Sequence, residues 1–257
     1  MASKYETFKA LHQADKMFVL PNAWDAGSAL ALQENNYPAV GTSSSAVAAA
    51  LGYQDGENMS FSEYLFVVQH ISSKVSIPVT VDFEMGYGKT PEAVYANLQK
   101  LIEAGVVGIN IEDSLITNGV RTLGDANDFA KTLEFIRRKL GNARQQMFIN
   151  VRCDSYLLNV EDKENETGRR LKIYESAGAD GIFLPLIRDE KDISRAVSGT
   201  KLPLNVMAIP DLPELDKLNE LSVKRVSMGP FLHNKTYGTA KEIAKSVLDQ
   251  NSLKPIF

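Results

Sequence analysis

Short apolar runs alternate with longer amphipathic segments along the whole chain. The runs are rich in residues that favour strands, and they are bounded by glycine, proline or polar residues, as buried strands are. The sequence predicts eight such strands, at residues 17–20, 39–42, 78–82, 108–112, 147–152, 181–184, 204–208 and 225–228.

The segments between the strands are predicted to be helices. Thr90 and Pro91 suit the N-cap and first position of one helix, and Gly141 suits the end of another. Helices are also predicted at residues 25–34, 61–74, 125–140, 167–176, 189–197, 213–221 and 239–248, and Gly141 follows the third of these. A strand that repeatedly precedes a helix favours an α/β fold, a single (β/α)8 TIM barrel domain over residues 1–257. The alternative is a doubly wound open sheet, but no G-x-G-x-x-G motif follows the first strand.

The composition disfavours several classes of protein. The chain has 257 residues, 44% of them hydrophobic, and a net charge of −4 without a basic cluster, which argues against a nucleic-acid partner. Cys153 is the one cysteine, so neither an intramolecular disulfide nor a cysteine-rich zinc site is expected. The first residues lack the apolar core of a signal peptide, and no apolar run approaches the ~20 residues that span a membrane. We therefore expect a cytoplasmic protein without a membrane partner.

Two acidic pairs end predicted strands. Asp82 ends the third strand and Glu84 follows it, before two glycines, and Glu112 and Asp113 lie at the end of the fourth. Unpaired negative charge is unfavourable at the end of a buried strand. A hard divalent cation such as Mg²⁺, which prefers oxygen ligands, would compensate this charge. The alternative is that Lys, Arg or backbone N–H groups satisfy the carboxylates.

Other polar groups are expected at the same end of the barrel, where TIM-barrel sites lie. Ser43, Ser44 and Ser45 follow the second strand, and Arg152 ends the fifth. Hydroxyls and a guanidinium suit a small anionic substrate. No lysine ends a strand, which disfavours a Schiff-base aldolase, and no histidine ends a strand in the first half, which disfavours zinc. The serines could instead form a polar turn, and Arg152 could be a structural partner of Asp154 or Glu112.

Several motifs resemble those of a known family. They are P-N-A-W-D at 21–25, T-S-S-S at 42–45, L-G-Y-Q-D at 51–55, D-F-E-M-G-Y-G at 82–88, N-I-E-D at 110–113 and N-V-R at 150–152. Over residues 20–231 the chain resembles the phosphoenolpyruvate mutase/isocitrate lyase superfamily, most closely a phosphonomutase-like branch. The resemblance implies an enzyme dependent on Mg²⁺ or Mn²⁺ that makes or breaks C–C or C–P bonds of a small 2-oxo acid or related carboxylate through an enolate-like species.

The resemblance also assigns roles to residues. Asp82 would be the direct metal ligand, and Glu84, Glu112 and Asp55 would hold metal-bound waters. Ser43 and its neighbours Ser44 and Ser45 would grip the substrate carboxylate, and Arg152 would bind the same anion or stabilise charge. Trp24 is a candidate for lining the pocket, or else a packing residue, and Asn118 resembles a catalytic asparagine of the mutase gating loop.

The loop after the fourth strand departs from part of the superfamily. Isocitrate and methylisocitrate lyases carry K-K-C-G-H there, whereas residues 114–121 contain no cysteine, histidine or lysine. Inefficient cleavage of these substrates is therefore expected. A non-catalytic barrel that binds a small carboxylate and a metal-independent, aldolase-like enzyme are the alternatives.

A homodimer or homotetramer with a swapped terminal helix is what the resemblance implies for assembly. Ala240, Ile243, Ala244 and Val247 form an apolar stripe at helical spacing on that helix. The alternative is that the helix packs on its own barrel.

Overall fold

The computed structural model describes residues 2–143 and 145–257. The strands are β1 (Phe18–Leu20), β2 (Asn22–Ala23), β3 (Val40–Thr42), β4 (Val79–Asp82), β5 (Gly108–Glu112), β6 (Ser114–Thr117), β7 (Val120–Leu123), β8 (Phe148–Arg152), β9 (Gly181–Leu184), β10 (Leu204–Met207) and β11 (Arg225–Ser227). The α-helices are α1 (Lys4–Gln13), α2 (Ala26–Glu34), α3 (Ser44–Leu51), α4 (Phe61–Lys74), α5 (Pro91–Glu103), α6 (Ala126–Ala143), α7 (Lys163–Ser176), α8 (Glu190–Ser198), α9 (Leu215–Glu220) and α10 (Phe231–Asp249), and a 3₁₀ turn follows at Lys254–Ile256.

Nine strands form one parallel sheet in the order β1-β11-β10-β9-β8-β5-β4-β3-β2. Pro21 alone separates β1 from β2, and the two pieces pair with opposite ends of this series, β1 with β11 and β2 with β3. They therefore act as one interrupted strand that closes the sheet. The fold is the predicted (β/α)8 barrel, and the open-sheet alternative is wrong.

Several element boundaries differ from the prediction. Helix α6 continues through Gly141 to Ala143, so Gly141 does not end it. Helix α7 begins at Lys163, and α10 begins at Phe231, eight residues before the predicted start. Helices α1 and α3 and the hairpin of β6 and β7 were not predicted. Capping by Ser3 and Ser43 accounts for α1 and α3, and the Asn118-Gly119 turn accounts for the hairpin.

Helix α1 closes the amino-terminal end of the barrel. Ser3 and Glu6 form a capping box at its start. Phe8 and His12 project into the barrel, where the His12 ring stacks on Phe148 at 4.1 Å between ring centroids. His12 Nδ1 donates to the Phe8 carbonyl at 2.9 Å, because a carbonyl can only accept, and the buried Nε2 has no partner among the described residues. Burial and the nearby Arg225 charge lower the pKa of His12 to about 3.

The stability of the barrel is expected to fall as the pH decreases below about 6.5. The unfolded His12 binds a proton near its ordinary pKa of about 6.5, whereas the folded ring stays neutral down to about 3. The free energy of unfolding should therefore be about 2 kcal/mol lower at pH 5 than at pH 7.5 from this group alone. Urea denaturation of the parent and of His12→Phe at both pH values measures this difference, which the variant should lack. Substitution of the exposed His70 by Gln is the control, and an equal pH dependence in parent and His12→Phe would contradict the account.

Helix α10 makes little contact with the rest of its own chain. Of its 19 residues only His233 is buried, near the first turn. Tyr237 is 53% exposed and Leu248 82% exposed. The alternative in which this helix packs along its own barrel is therefore wrong for most of its length. None of the helices in the described ranges is long and apolar enough to cross a membrane.

Candidate functional site

A cavity of about 180 Å³ opens at the carboxyl ends of the barrel strands. Six of the predicted site residues line it, namely Ser43, Ser44, Ser45, Asp55, Asp82 and Arg152. Asn22, Asn110 and Ser227 also contribute polar groups, and its apolar lining includes Phe183, Pro185 and Met207. This volume lies below the range of pockets for drug-sized ligands, so the cavity suits a molecule of a few heavy atoms.

Asp82, at the end of β4, has one carboxylate oxygen without a hydrogen-bond partner among the described residues. Its Oδ2 accepts hydrogen bonds from the Ser44 hydroxyl at 2.9 Å and the Ser44 backbone N–H at 3.3 Å. Its Oδ1 is buried and has no hydrogen-bond partner in the described part of the chain. Burial raises the pKa of Asp82, the charge of Arg152 opposes this rise, and Asp55 adds to it. A free, buried carboxylate oxygen is costly unless a cation compensates it.

The three serines begin helix α3. Ser43 is its N-cap, and the Ser43 Oγ accepts from the Ala46 N–H at 3.3 Å. The cavity therefore faces the first turn of a helix, where the helix dipole and the Ser45 N–H group favour an anion. The sequence alternative of a simple polar turn is wrong, because the serines cap and begin a helix that the periodicity analysis missed.

Arg152 at the end of β8 is held by two buried carboxylates. Its Nε and Nη2 donate to the two oxygens of Asp154 at 2.6 and 3.2 Å, and its Nη1 lies 2.8 Å from Glu112 Oε2. Both structural ion pairs considered for Arg152 therefore exist. The arginine also lines the cavity, so the pairs orient a guanidinium that remains available to an anion.

The segment after β5 is a β-hairpin that carries Arg121. Strands β6 and β7 pair through an Asn118-Gly119 turn in which both residues have positive φ, 52° and 76°, as a type I′ turn requires. Arg121 Nη1 donates to Glu112 and, at 2.6 Å, to the Ser114 hydroxyl. Arg121 is not among the residues predicted for the site, although an Asn-Gly pair between alternating residues predicts this hairpin. Asn118 is exposed at the turn and does not line the cavity.

Glu84 lies beside the cavity with both oxygens engaged. They accept from the Glu57 backbone N–H at 2.8 Å and the Tyr87 hydroxyl at 2.6 Å. Burial raises the pKa of Glu84 to about 8, and the charges of Asp55, Asp82 and Glu112 add to the rise. Neither Glu84 nor Glu112 lines the cavity itself.

The acidic groups around the cavity outnumber the cationic ones. Among the described residues, the neighbouring carboxylates of Asp55, Asp82, Glu84, Glu112 and Asp154 outnumber the guanidiniums of Arg121, Arg152 and, below the cavity, Arg225. Among the described residues, however, no three His, Cys, Asp or Glu side chains are grouped to hold a metal by themselves. One free oxygen on Asp82 beside several further carboxylates fits Mg²⁺, which keeps several waters, better than zinc, which needs more protein ligands.

Three further residues lie outside the cavity. Asp113 faces the helix layer and accepts from Arg170 at 2.9 Å and Tyr174 at 2.6 Å on α7, which makes it a structural carboxylate. Trp24 packs edge-on against His233 at 5.1 Å between ring centroids and is not among the residues that line the cavity. Cys153 is fully buried in the core, and burial raises the pKa of its thiol.

Known proteins share this sequence pattern. A family model described as phosphoenolpyruvate phosphomutase matches residues 8–248. An uncharacterized protein of Mycobacterium tuberculosis is 32% identical over 247 residues, which cover 96% of this chain and 91% of the relative. An oxaloacetate decarboxylase of Ectopseudomonas mendocina is 26% identical over 258 residues, which cover 96% of this chain and 84% of that enzyme.

Solved structures have the same barrel. A Burkholderia cenocepacia protein described provisionally as a phosphonomutase superposes with a TM-score of 0.89 at 35% identity, over 94% of this chain and 99% of that one. A phosphonopyruvate hydrolase in complex with oxalate and Mg²⁺ superposes with a TM-score of 0.87 at 22% identity, over 98% of this chain and 89% of that one, which shows the shared fold. The sequence match and the barrel together mean that the chain belongs to the phosphoenolpyruvate phosphomutase family of the phosphoenolpyruvate mutase/isocitrate lyase superfamily.

Proposed function

We propose that this protein is a lyase or phosphonomutase-like enzyme, dependent on Mg²⁺ or Mn²⁺, that acts on a small 2-oxo acid or related carboxylate. The observation that carries the proposal is the free, buried Oδ1 of Asp82, which lies in a 180 Å³ cavity with Arg152 and the first turn of α3. Family members that act on oxaloacetate or phosphonopyruvate support the substrate class.

In this proposal different residues of the chain would bind the cation and the substrate. Asp82 would hold the cation directly, and Asp55, Glu84 and Glu112 would accept hydrogen bonds from its waters. A cation bound there supplies Lewis-acid stabilisation of enolate-like negative charge. The Ser45 N–H group and the Ser43 and Ser45 hydroxyls would bind one substrate carboxylate, and Arg152 would hold a second anionic oxygen. The hairpin of β6 and β7, which Arg121 links to Glu112, would shield the acidic groups from bulk solvent.

Turnover assays test the proposal. Oxaloacetate, substituted malates, other 2-oxo acids and phosphonopyruvate would each be incubated with the protein and with Mg²⁺, Mn²⁺ or EDTA. We expect turnover of at least one of these acids that EDTA abolishes. A protein that binds such acids with no metal-dependent turnover would support the second candidate, a non-catalytic barrel that binds a small carboxylate, which the same anion-binding groups permit.

Cleavage of isocitrate or methylisocitrate is expected to be slow. The lyases of the superfamily carry a cysteine in the loop after the fourth strand, and a missing general acid typically costs at least about 10²-fold in rate. The hairpin offers Ser114, which donates to Asp154 at 2.7 Å, and Arg121, which stays protonated. A coupled assay of methylisocitrate cleavage should therefore give rates at least about 10²-fold below those for the preferred acid. Cleavage as fast as that of the preferred acid, and unchanged in Cys153→Ser, would contradict this expectation.

We also propose a homodimer or homotetramer in which α10 packs against a partner subunit. The exposed apolar side chains of α10, among them Tyr237 and Leu248, support this assembly. Light scattering at micromolar concentration should give a multiple of 28.3 kDa. Ile243→Glu on the apolar stripe should lower the mass, whereas Lys245→Glu on the same helix should not. A monomeric mass for the parent would contradict the proposal.

A further inference from the structure

A layer of amides surrounds a buried arginine inside the barrel, below the cavity. Its members are Asn110 on β5, Asn150 on β8, Asn205 on β10 and Arg225 on β11, and none is more than 6% exposed. Barrel interiors are ordinarily filled by branched apolar side chains. Asn110 alone of these four residues also lines the cavity, so it connects the layer to the proposed site.

The orientation of the Asn110 carboxamide is fixed by Arg225. Arg225 Nη2 lies 2.8 Å from the Asn110 side chain, and a guanidinium has donors but no acceptor, so the atom facing it must be Oδ1. Asn150 Nδ2 donates to the same oxygen at 2.8 Å. The Nδ2 of Asn110 must therefore be the atom on the other side of the amide. It has no hydrogen-bond partner within the described ranges and is not among their fully buried polar atoms.

The neighbouring amides reinforce this orientation. Asn205 Nδ2 donates to the Val206 carbonyl at 2.6 Å, so its Oδ1 is the atom that accepts from Asn150 at 3.2 Å. Both N–H groups of Asn150 are thereby directed to acceptors, one on Asn205 and one on Asn110. A reversed Asn110 would bring N–H groups against two donors. The hydrogen bonds of these amides are therefore consistent with only one orientation of the Asn110 carboxamide.

The buried amide and arginine layer lowers the stability of the fold. Arg225 is completely buried, and its Nε and Nη1 have no partner in the described part of the protein. A buried, incompletely paired charge is unfavourable, and apolar residues of similar volume often replace such groups without loss of stability. Folding alone therefore gives no reason for the arrangement. A function at the cavity explains the arrangement, because energetically unfavourable groups are found mainly at functional sites.

We propose that Asn110 is a substrate-binding and specificity-determining residue whose N–H group donates to an anionic oxygen of the bound acid, and that Arg225 is the positioning residue that fixes its direction. This inference rests on the proposed function, because it assigns a third anion-binding element to the same cavity. Asn110 adds a third donor to the cavity beside the first turn of α3 and Arg152. The site consequently favours ligands with acceptor oxygens in the barrel interior and disfavours those with an apolar group there.

Asn110→Asp tests the inference with an almost isosteric change. One oxygen of the new carboxylate keeps the hydrogen bonds from Arg225 and Asn150, while the other places an acceptor where the N–H group was. Isothermal titration with oxalate in the presence of Mg²⁺ should show about ten- to a hundredfold weaker binding than in the parent, since a hydrogen bond to a charged group is lost. The melting temperature should not fall, because the new carboxylate pairs with Arg225. Asn127→Asp, the same change at an exposed position, should bind oxalate like the parent.

The outcomes distinguish this inference from the proposed function. Oxalate affinity unchanged in a folded Asn110→Asp would overturn the role of Asn110 and leave the proposed function standing. A lowered melting temperature with unchanged affinity would likewise assign Asn110 to structure alone. Arg225→Lys, which keeps a donor toward Asn110, should retain most of the affinity. Failure of the parent protein to bind oxalate with Mg²⁺ would overturn both the inference and the function on which it rests.

Discussion

Asp82→Asn is expected to abolish binding of the divalent cation and to reduce turnover by at least about 10³-fold. The carboxamide oxygen of this variant can still accept from the Ser44 hydroxyl and N–H, so the local hydrogen bonds survive. The negative charge that compensates the cation is lost, and a neutral amide is a poor ligand for Mg²⁺. Because burial raises the pKa of Asp82, the free energy of unfolding without metal should stay the same or increase. Metal titration, turnover assays and urea denaturation measure these three effects.

Asp211→Asn is the matched control for this prediction. Asp211 is exposed in the loop that follows β10, at the same end of the barrel, and it does not line the cavity. Its substitution removes one negative charge from that end and should change neither metal binding nor turnover. Metal binding by Asp82→Asn at the parent's affinity would contradict the assignment of Asp82 as the direct ligand.

Arg152→Met is expected to lower the free energy of unfolding by about 3–5 kcal/mol and to abolish turnover. The substitution leaves the buried carboxylates of Glu112 and Asp154 without their shared cation, and breaking a buried ion pair from one side is strongly destabilising. Arg152→Lys should retain part of the stability, because it keeps the charge. It should nevertheless lose most activity, because a lysine cannot form the paired hydrogen bonds that orient the side chain. Urea denaturation and turnover assays measure the two effects.

Arg169 supplies the control. It pairs with Glu166 on the surface of α7 and is 48% exposed, and exposed pairs contribute about 0–1 kcal/mol. Arg169→Met should therefore have little effect on the free energy of unfolding. An equally small effect of Arg152→Met would contradict the buried network, and full turnover by Arg152→Lys would contradict the need for a guanidinium.

The barrel could be predicted from the sequence because its strands carry a strong local signal. Buried parallel strands are short apolar runs between turn residues, as at Gly108–Glu112 and Gly181–Leu184, and the structure has both at the predicted bounds. Helix α1 lacks strong amphipathic periodicity. A capping box begins it, and two side chains that insert into the barrel hold it in position. The sequence of helix α3 resembles a serine-rich turn followed by alanines. The feature that predicts a helix there is Ser43 as its N-cap.

The site was predictable where its residues end strands and less so elsewhere. Asp82, Arg152 and the serines follow apolar runs, and the structure brings them to one cavity. Arg121 was missed because its contact with Glu112 depends on the register of a hairpin. The sequence assigns Asn110 no role, because the direction of its carboxamide depends on an arginine 115 positions later in the chain. Asn118 was assigned by likeness alone, although its place next to glycine predicts a turn.

Isothermal titration of the parent protein with Mg²⁺, in the presence and absence of oxalate, tests the central claim most directly. The account predicts one divalent cation per chain, bound more tightly with oxalate than without it, because the carboxylate ligand and the cation occupy the same cavity beside Asp82. Absence of divalent binding in both titrations would contradict the claim that the free oxygen of Asp82 is a metal ligand, and with it the proposed enzyme.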